Sequence, residues 1–168
     1  MPTATEWSLG YARQADADFR SWERLRRAKG VPECHCLLFL QMACEKLTKA
    51  HLCRAGTPPA LLQTSHAYTA KNLPVIVRQQ VGFSALSRRS AGWVNAKVKP
   101  LAREIELLAP AVSAAATGPT TASTRGPTRP ASCGCRWTGR SCRRNCSPRA
   151  GGRVFLKLIR DAIDRFLA

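Results

Sequence analysis

Acidic side chains are scarce: ten Asp and Glu stand against 27 Lys and Arg in a chain of 168 residues, a formal net charge of +17. Long apolar runs are missing as well. The residues that follow the first methionine are polar and small, which excludes a secretory leader there and sets a cytoplasmic location as the expectation. The richest apolar stretch, residues 36–44, is too short to cross a bilayer and is followed at once by Glu45, Lys46 and Lys49, so no membrane partner is expected. A Gly-rich nucleotide loop, a nucleophile elbow and a paired Cys or His zinc set in the helical part are also lacking. No cofactor and no metal are therefore expected, and an enzyme would have to be argued from the fold alone, a weak warrant.

The basic excess invites a nucleic-acid reading, but its distribution matters more than its sum. Residues 111–152 hold seven Arg, no Lys and no acid, a quarter of the chain with its own charge character. The cysteines divide the same way: Cys34, Cys36, Cys44 and Cys53 in the helical part, and Cys133, Cys135, Cys142 and Cys146 in the basic block. In a cytosolic chain the first four are most simply reduced, with Cys36 and Cys44 acting as small core hydrophobes. Zinc binding by Cys34, His35 and Cys36 is opposed by geometry, since adjacent positions on a helix point in different directions.

The chain is organised around residues 36–52. Leu37, Leu40, Cys44, Leu47 and His51 recur at steps of three and four, and Cys36, Phe39, Ala43 and Ala50 run beside them. The pattern predicts a helix apolar around most of its first half, which belongs inside a bundle. Gln41, Glu45 and Lys49 form one i, i+4 row with the carboxylate N-terminal to the ammonium, the stabilising order, and are expected on the solvent or partner face. His51 falls on the core stripe and is expected to be half-buried. Arg54, near the helix end, suits the dipole.

Before this helix, Thr3 and Glu6 fit a capping box that opens a first helix, with Ala12, Ala15, Phe19, Trp22 and Leu25 as its apolar stripe. Its other face carries Arg13, Arg20, Arg24, Arg26, Arg27 and Lys29. A solvated face is the ordinary reading of such a run, and a phosphate-binding face is its rival. The short turn at Gly30 and Pro32 implies an antiparallel helical hairpin. Gly56, Pro58 and Pro59 end the central helix. Residues 57–64 read as a loop, and Ser65 as the cap of a short helix that begins at His66 and is interrupted by Pro74.

Val75, Ile76 and Val77 form a small apolar patch expected to close one end of the bundle. Ser84 opens a further helical stretch in which Val94, Val98, Leu101, Ile105 and Leu108 keep their spacing through Pro100, where the helix should kink or split, and Pro110 ends it. Residues 154–168 are a clean amphipath, with Phe155, Leu158, Ile159, Ala162, Ile163 and Phe166 inward and Lys157, Arg160, Asp161, Asp164 and Arg165 outward. Trp22 and Trp93, set among apolar positions, read as core or interface aromatics.

Residues 113–150 contain no Leu, Ile, Phe, Lys, Asp or Glu and cannot form a core. Their Ala, Gly, Pro, Arg, Ser and Thr are encoded by GC-rich codons, which suggests translation in a shifted frame. Regrouping the codons of residues 116–127 from each third base permits Asp-Arg-Pro-Asp-Asn-Cys-Glu-Tyr-Pro-Trp, an acidic and aromatic sequence typical of a folded protein. Stop codons in that frame of the coding DNA would overturn the idea. On this hypothesis the block's arginines and cysteines are neither a nucleic-acid arm nor a zinc knuckle. The fold class expected is all-α, a bundle of four to five helices: core 1–110, a disordered or irregular insertion 111–152, and a docking helix 153–168.

The first-helix pattern of residues 12–25, the run Leu40-Gln41-Met42-Ala43-Cys44-Glu45-Lys46-Leu47-Thr48-Lys49-Ala50, then Gly56, then His66, together resemble the HEPN superfamily of small helical bundles over about the first 75 residues. The resemblance implies an up-and-down bundle, frequent homodimers, and association with RNA or with nucleotidyltransferase partners in toxin–antitoxin or defence loci. Nuclease members of that family carry Arg-x4-6-His, in which Arg stabilises phosphate charge and His assists attack by the 2′-hydroxyl. This chain departs from that pattern, because no Arg lies five to seven positions before His35, His51 or His66.

The function expected is therefore association without the nuclease motif, with RNA or a protein partner held by the charged face of the first two helices. Arg20, Arg24, Arg27, Gln41, Glu45, Lys46, Lys49, Arg54 and His66 are the contact candidates, and His66 alone is a candidate for acid–base chemistry. A metal-independent RNase toxin and a dimeric scaffold without nucleic acid are the rivals.

Overall fold

The computed structural model of the chain describes residues 2–64, 66–83, 92, 94–109 and 150–168. The expected Ser65 cap, the helix start at Ser84, Trp93, Pro110 and the 113–150 block as far as residue 149, with its four cysteines, lie outside the described residues. Among the described residues all regular structure is helical: α1 (Ala4–Leu25), α2 (Glu33–Arg54), α3 (Pro59–Gln63), α4 (Thr69–Phe83), a π-helical turn (Val94–Val98), α5 (Lys99–Glu106) and α6 (Ala150–Leu167). None of these helices is long and apolar enough to cross a membrane.

The Thr3 capping box opens α1: the Glu6 N–H donates to Thr3 Oγ1 at 3.2 Å, and the Thr3 N–H donates back to Glu6 Oε2 at 2.7 Å. After a turn in which Gly30 takes φ +79°, the chain reverses into α2. The pairing is antiparallel, since Cys53 Sγ donates to the Ala4 carbonyl at 3.2 Å, Lys46 lies 5.7 Å over the Tyr11 ring, and Leu25 shares a wall with Cys36. A six-to-one turn ends α2. Gly56 at φ +94° lets the Thr57 N–H reach the Leu52 carbonyl at 3.0 Å and its own N–H reach that of Cys53 at 3.1 Å.

Helix α2 is the axis of the molecule. It packs along α1 on one flank and against α4 and α5 on another. Helix α6 packs on α4 and on α1, antiparallel to α1: Phe155 meets the wall formed by Trp22 and Cys36, Arg160 pairs with Asp16, and Phe166 joins Tyr11, Ala12 and Ala50. Helices α1, α2, α4 and α6 therefore form a ring in which each packs on the next, with α1 and α4 at opposite corners, α2 and α6 at the other two, and α5 laid on α4 and α2. Phe19, Leu47, Leu73, Val77, Leu158 and Ile159 fill the shared core.

Some expectations change, while the kink or split expected at Pro100 is found. Residues 57–64 are not only loop, because Pro59, suited to the first turn of a helix, opens α3, and Leu62 is fully buried. The following helix starts at Thr69 rather than His66 and continues through Pro74 to Phe83. Burial of Leu73, Ile76 and Val77 offsets the hydrogen bond that Pro74 cannot donate, while the third member of the expected apolar patch, Val75, stays exposed. At Pro100 the helix splits: a wider π-helical turn precedes it, and Pro100 falls in the first turn of α5, where a missing N–H costs nothing. Last, Arg160 does not simply face out but reaches across to Asp16 of α1 at 2.6 Å, in addition to pairing with Asp164.

A carboxylate from α5 ties that helix to α4. Glu106 Oε1 accepts from the Ala70 N–H at 2.9 Å, placing negative charge at the positive end of α4.

Candidate functional site

On α2 the row Gln41, Glu45 and Lys49 is buried, with relative exposures of 4, 4 and 1 %. This corrects the expected solvent or partner face. An i, i+4 pair of opposite charges usually marks a wet surface, but here the chain returns from α3 and lays His66 against Glu45. Glu45 Oε1 pairs with Lys49 Nζ at 2.7 Å, and Oε2 accepts from Gln41 Nε2 at 2.8 Å and faces His66 Nδ1 at 3.0 Å. Burial alone would raise the Glu45 pKa, yet the bonds from Lys49, His66 and Gln41 outweigh it and hold the carboxyl below its ordinary value. A donor bond from Nδ1–H to the carboxylate fixes the imidazole tautomer and leaves Nε2 as its acceptor. The His66 side chain is 44 % exposed, so this orientated ring is reachable from solvent.

Asp18 of α1 is also buried, and its Oδ2 has no hydrogen-bond partner. Burial pushes its carboxyl up, opposed by the nearby Lys46 and reinforced by the negative Glu45. Lys46 itself is half-buried over Tyr11. Asp18 went unnoticed in the sequence because only its place on the inner side of α1, one turn before Trp22, could have drawn attention to it.

The other candidates lie apart from this cluster. Arg20 and Arg24 are exposed on α1 and follow Arg13 at steps of seven and four, which places these three on one stripe, and Arg27 is exposed in the turn just after the helix. Arg20 pairs with Asp16 at 3.0 Å, and among the described residues Arg13, Arg24 and Arg27 have no acidic partner. Arg54 is committed to structure, its guanidinium 3.5 Å over the Phe166 ring and donating to the Phe166 carbonyl at 3.3 Å. His51 stacks edge-on against the same ring at 4.9 Å. Burial, helped by Arg54, pushes its pKa down to about 4.

The described cysteines Cys34, Cys36, Cys44 and Cys53 are free, and burial lifts the Cys44 thiol to about 12, which makes it inert. Among the described residues no group of three His, Cys, Asp or Glu side chains could hold a metal ion. Sequence reasoning also missed a cavity of about 330 Å³ at the end of the bundle where α1 passes into α2, walled by Trp22, Leu25, Leu40, Leu101, Ile105 and Phe155.

Fold and site define an all-α bundle with a buried carboxylate, a half-exposed histidine bound to it, and an arginine stripe on an outer helix. No family model, no curated protein and no solved structure matches the chain.

Proposed function

We propose that this chain is a HEPN-type helical bundle that works by association, holding RNA through the arginine stripe of α1. The observation that carries the reading is the alignment of Arg13, Arg20 and Arg24 on one exposed face of α1, with Arg27 exposed in the turn just after it, three of the four without an acidic partner among the described residues. Cations kept free of internal ion pairs can neutralise phosphates and release the counterions condensed on them. The HEPN part of the proposal draws support from the meeting of its two sequence elements: His66, after the loop, is bonded to Glu45 of the Glu-Lys-Leu-x-Lys-Ala run.

Binding of a single-stranded RNA measured across a salt series tests this. Affinity should fall steeply with salt, and replacing Arg20, Arg24 and Arg27 together by Gln should reduce the log–log slope by about 2, at about 0.7 per phosphate contact. An unchanged slope would remove the α1 stripe from the interface.

One observation favours a second reading, RNA cleavage without metal: a solvent-reachable imidazole orientated by a buried carboxylate has the arrangement of a general acid–base group. Cleavage lost in His66→Ala but indifferent to chelators would support it, and cleavage retained in that variant would end it.

A further inference from the structure

We infer that the bundle carries a second, independent phosphate-binding face on the α4–α5 unit and so brings two RNA segments together, an inference that rests on the RNA reading of α1. Lys71 and Arg78, two turns apart on α4, lie on one stripe and are exposed. Lys97 in the π-helical turn and Lys99 and Arg103 on α5 are exposed as well, and α5 packs on α4. Among the described residues none of these five cations is in an ion pair, in contrast to Arg20 on α1 and Arg160 on α6.

The acids of the unit are turned away from that role. Glu106 caps α4 through the Ala70 N–H, and Glu104 lines the cavity at the end of the bundle. A face of cations without competing exposed carboxylates suits a polyanion.

Placement makes the two faces separate. Helices α1 and α4 stand at opposite corners of the ring formed with α2 and α6, and α5 lies on α4. With packed helices about 10 Å apart, axes on the diagonal of the ring are about 14 Å apart and the two outer surfaces about 25 Å from one another. That is roughly three Debye lengths at physiological salt, so each face attracts its own polyanion with little influence from the other.

Titration of the full chain with short oligoribonucleotides, half labelled with a donor and half with an acceptor fluorophore, tests the inference. Expected are two oligonucleotides per chain at low salt, energy transfer between them at limiting protein, and no transfer with anionic lipid vesicles in place of RNA. Changing Lys71, Arg78 and Arg103 to Glu should halve the stoichiometry and abolish transfer while one oligonucleotide remains bound. The same three positions as Gln, checked for an unchanged melting temperature, cover the case in which the Glu variant fails to fold.

One oligonucleotide per chain, lost on changing Arg20, Arg24 and Arg27 and unaffected by the α4–α5 variant, would overturn the second face and leave the reading of α1 intact. Binding lost only in the α4–α5 variant would instead sink the reading of α1. Preference for vesicles over RNA at the α4–α5 face would overturn the inference in favour of a membrane surface.

Discussion

Lys49 is the residue on which the buried cluster depends. It is 1 % exposed and its ammonium sits 2.7 Å from the Glu45 carboxylate, so neither charge is solvated except by the other and by Gln41 and His66. Lys49→Met leaves a buried carboxylate without its counter-charge, and a loss of about 3–5 kcal/mol in urea unfolding is expected. Adding Glu45→Gln, which removes the charge but keeps a partner for Gln41 and His66, should recover at least half of that loss. A double variant no better than the single one would show that packing, not charge, sets the cost. His51 behaves differently. Its folded pKa, about 4, lies below the ordinary 6.5, so between these values the unfolded chain takes up a proton that the folded chain refuses. Stability from this group is therefore complete above about pH 6.5 and falls as the pH drops towards 4. Urea midpoints measured at pH 7 and pH 5 should differ less in His51→Leu than in the parent, and an equal difference would exclude His51 as the titrating group. The depressed Glu45 carboxyl gives way only at lower pH, as protonation passes below its ordinary range.

Helix boundaries explain why some elements were legible and others were not. The ends of α1 and α2 are written in local chemistry: a Thr-x-x-Glu capping box, a Gly at positive φ and a following pair of prolines. The start of α4 is not, because the group that satisfies its Ala70 N–H is Glu106, 36 positions further along the chain. Pro74 misleads for a related reason. It is read locally as an interruption, yet the core contacts of Leu73, Ile76 and Val77 hold the helix through it. Pro74→Ala restores a helical donor and should raise stability by about 2 kcal/mol, the helix-interior cost of proline less the entropy gained by the unfolded chain. Gly56→Ala should act in the opposite direction by about 1–2 kcal/mol, since φ +94° is strained for any side chain with a Cβ. Chemical denaturation of the two variants, alongside helicity by circular dichroism, checks both signs.

For the whole molecule the governing quantity is charge. A chain at +17 repels itself, and the described ion pairs cluster on α1, α2 and α6, leaving the cations of the α4–α5 unit uncompensated. Screening should therefore stabilise the fold. Raising salt from about 10 to about 150 mM shortens the Debye length from about 30 to about 8 Å, and the melting temperature is expected to rise. A fall would mean that attractive surface pairs such as Lys157 with Asp161 outweigh the repulsion. The same excess is what a polyanion would neutralise, so bound RNA should raise the melting temperature most at low salt.

Periodicity and end chemistry were enough, without coordinates, to determine that the chain is all-α, that α1 and α2 form a hairpin, and that Phe155, Leu158, Ile159, Ala162, Ile163 and Phe166 turn inward. These are properties of one turn or one face, and the residues that decide them are neighbours in the chain. Only the tertiary structure decided that Gln41, Glu45 and Lys49 are buried, that His66 closes on Glu45, and that Glu106 caps α4. A side chain's access to water depends on what packs over it, and in each case that partner arrives from another element, 21 positions away for His66 and 36 for Glu106.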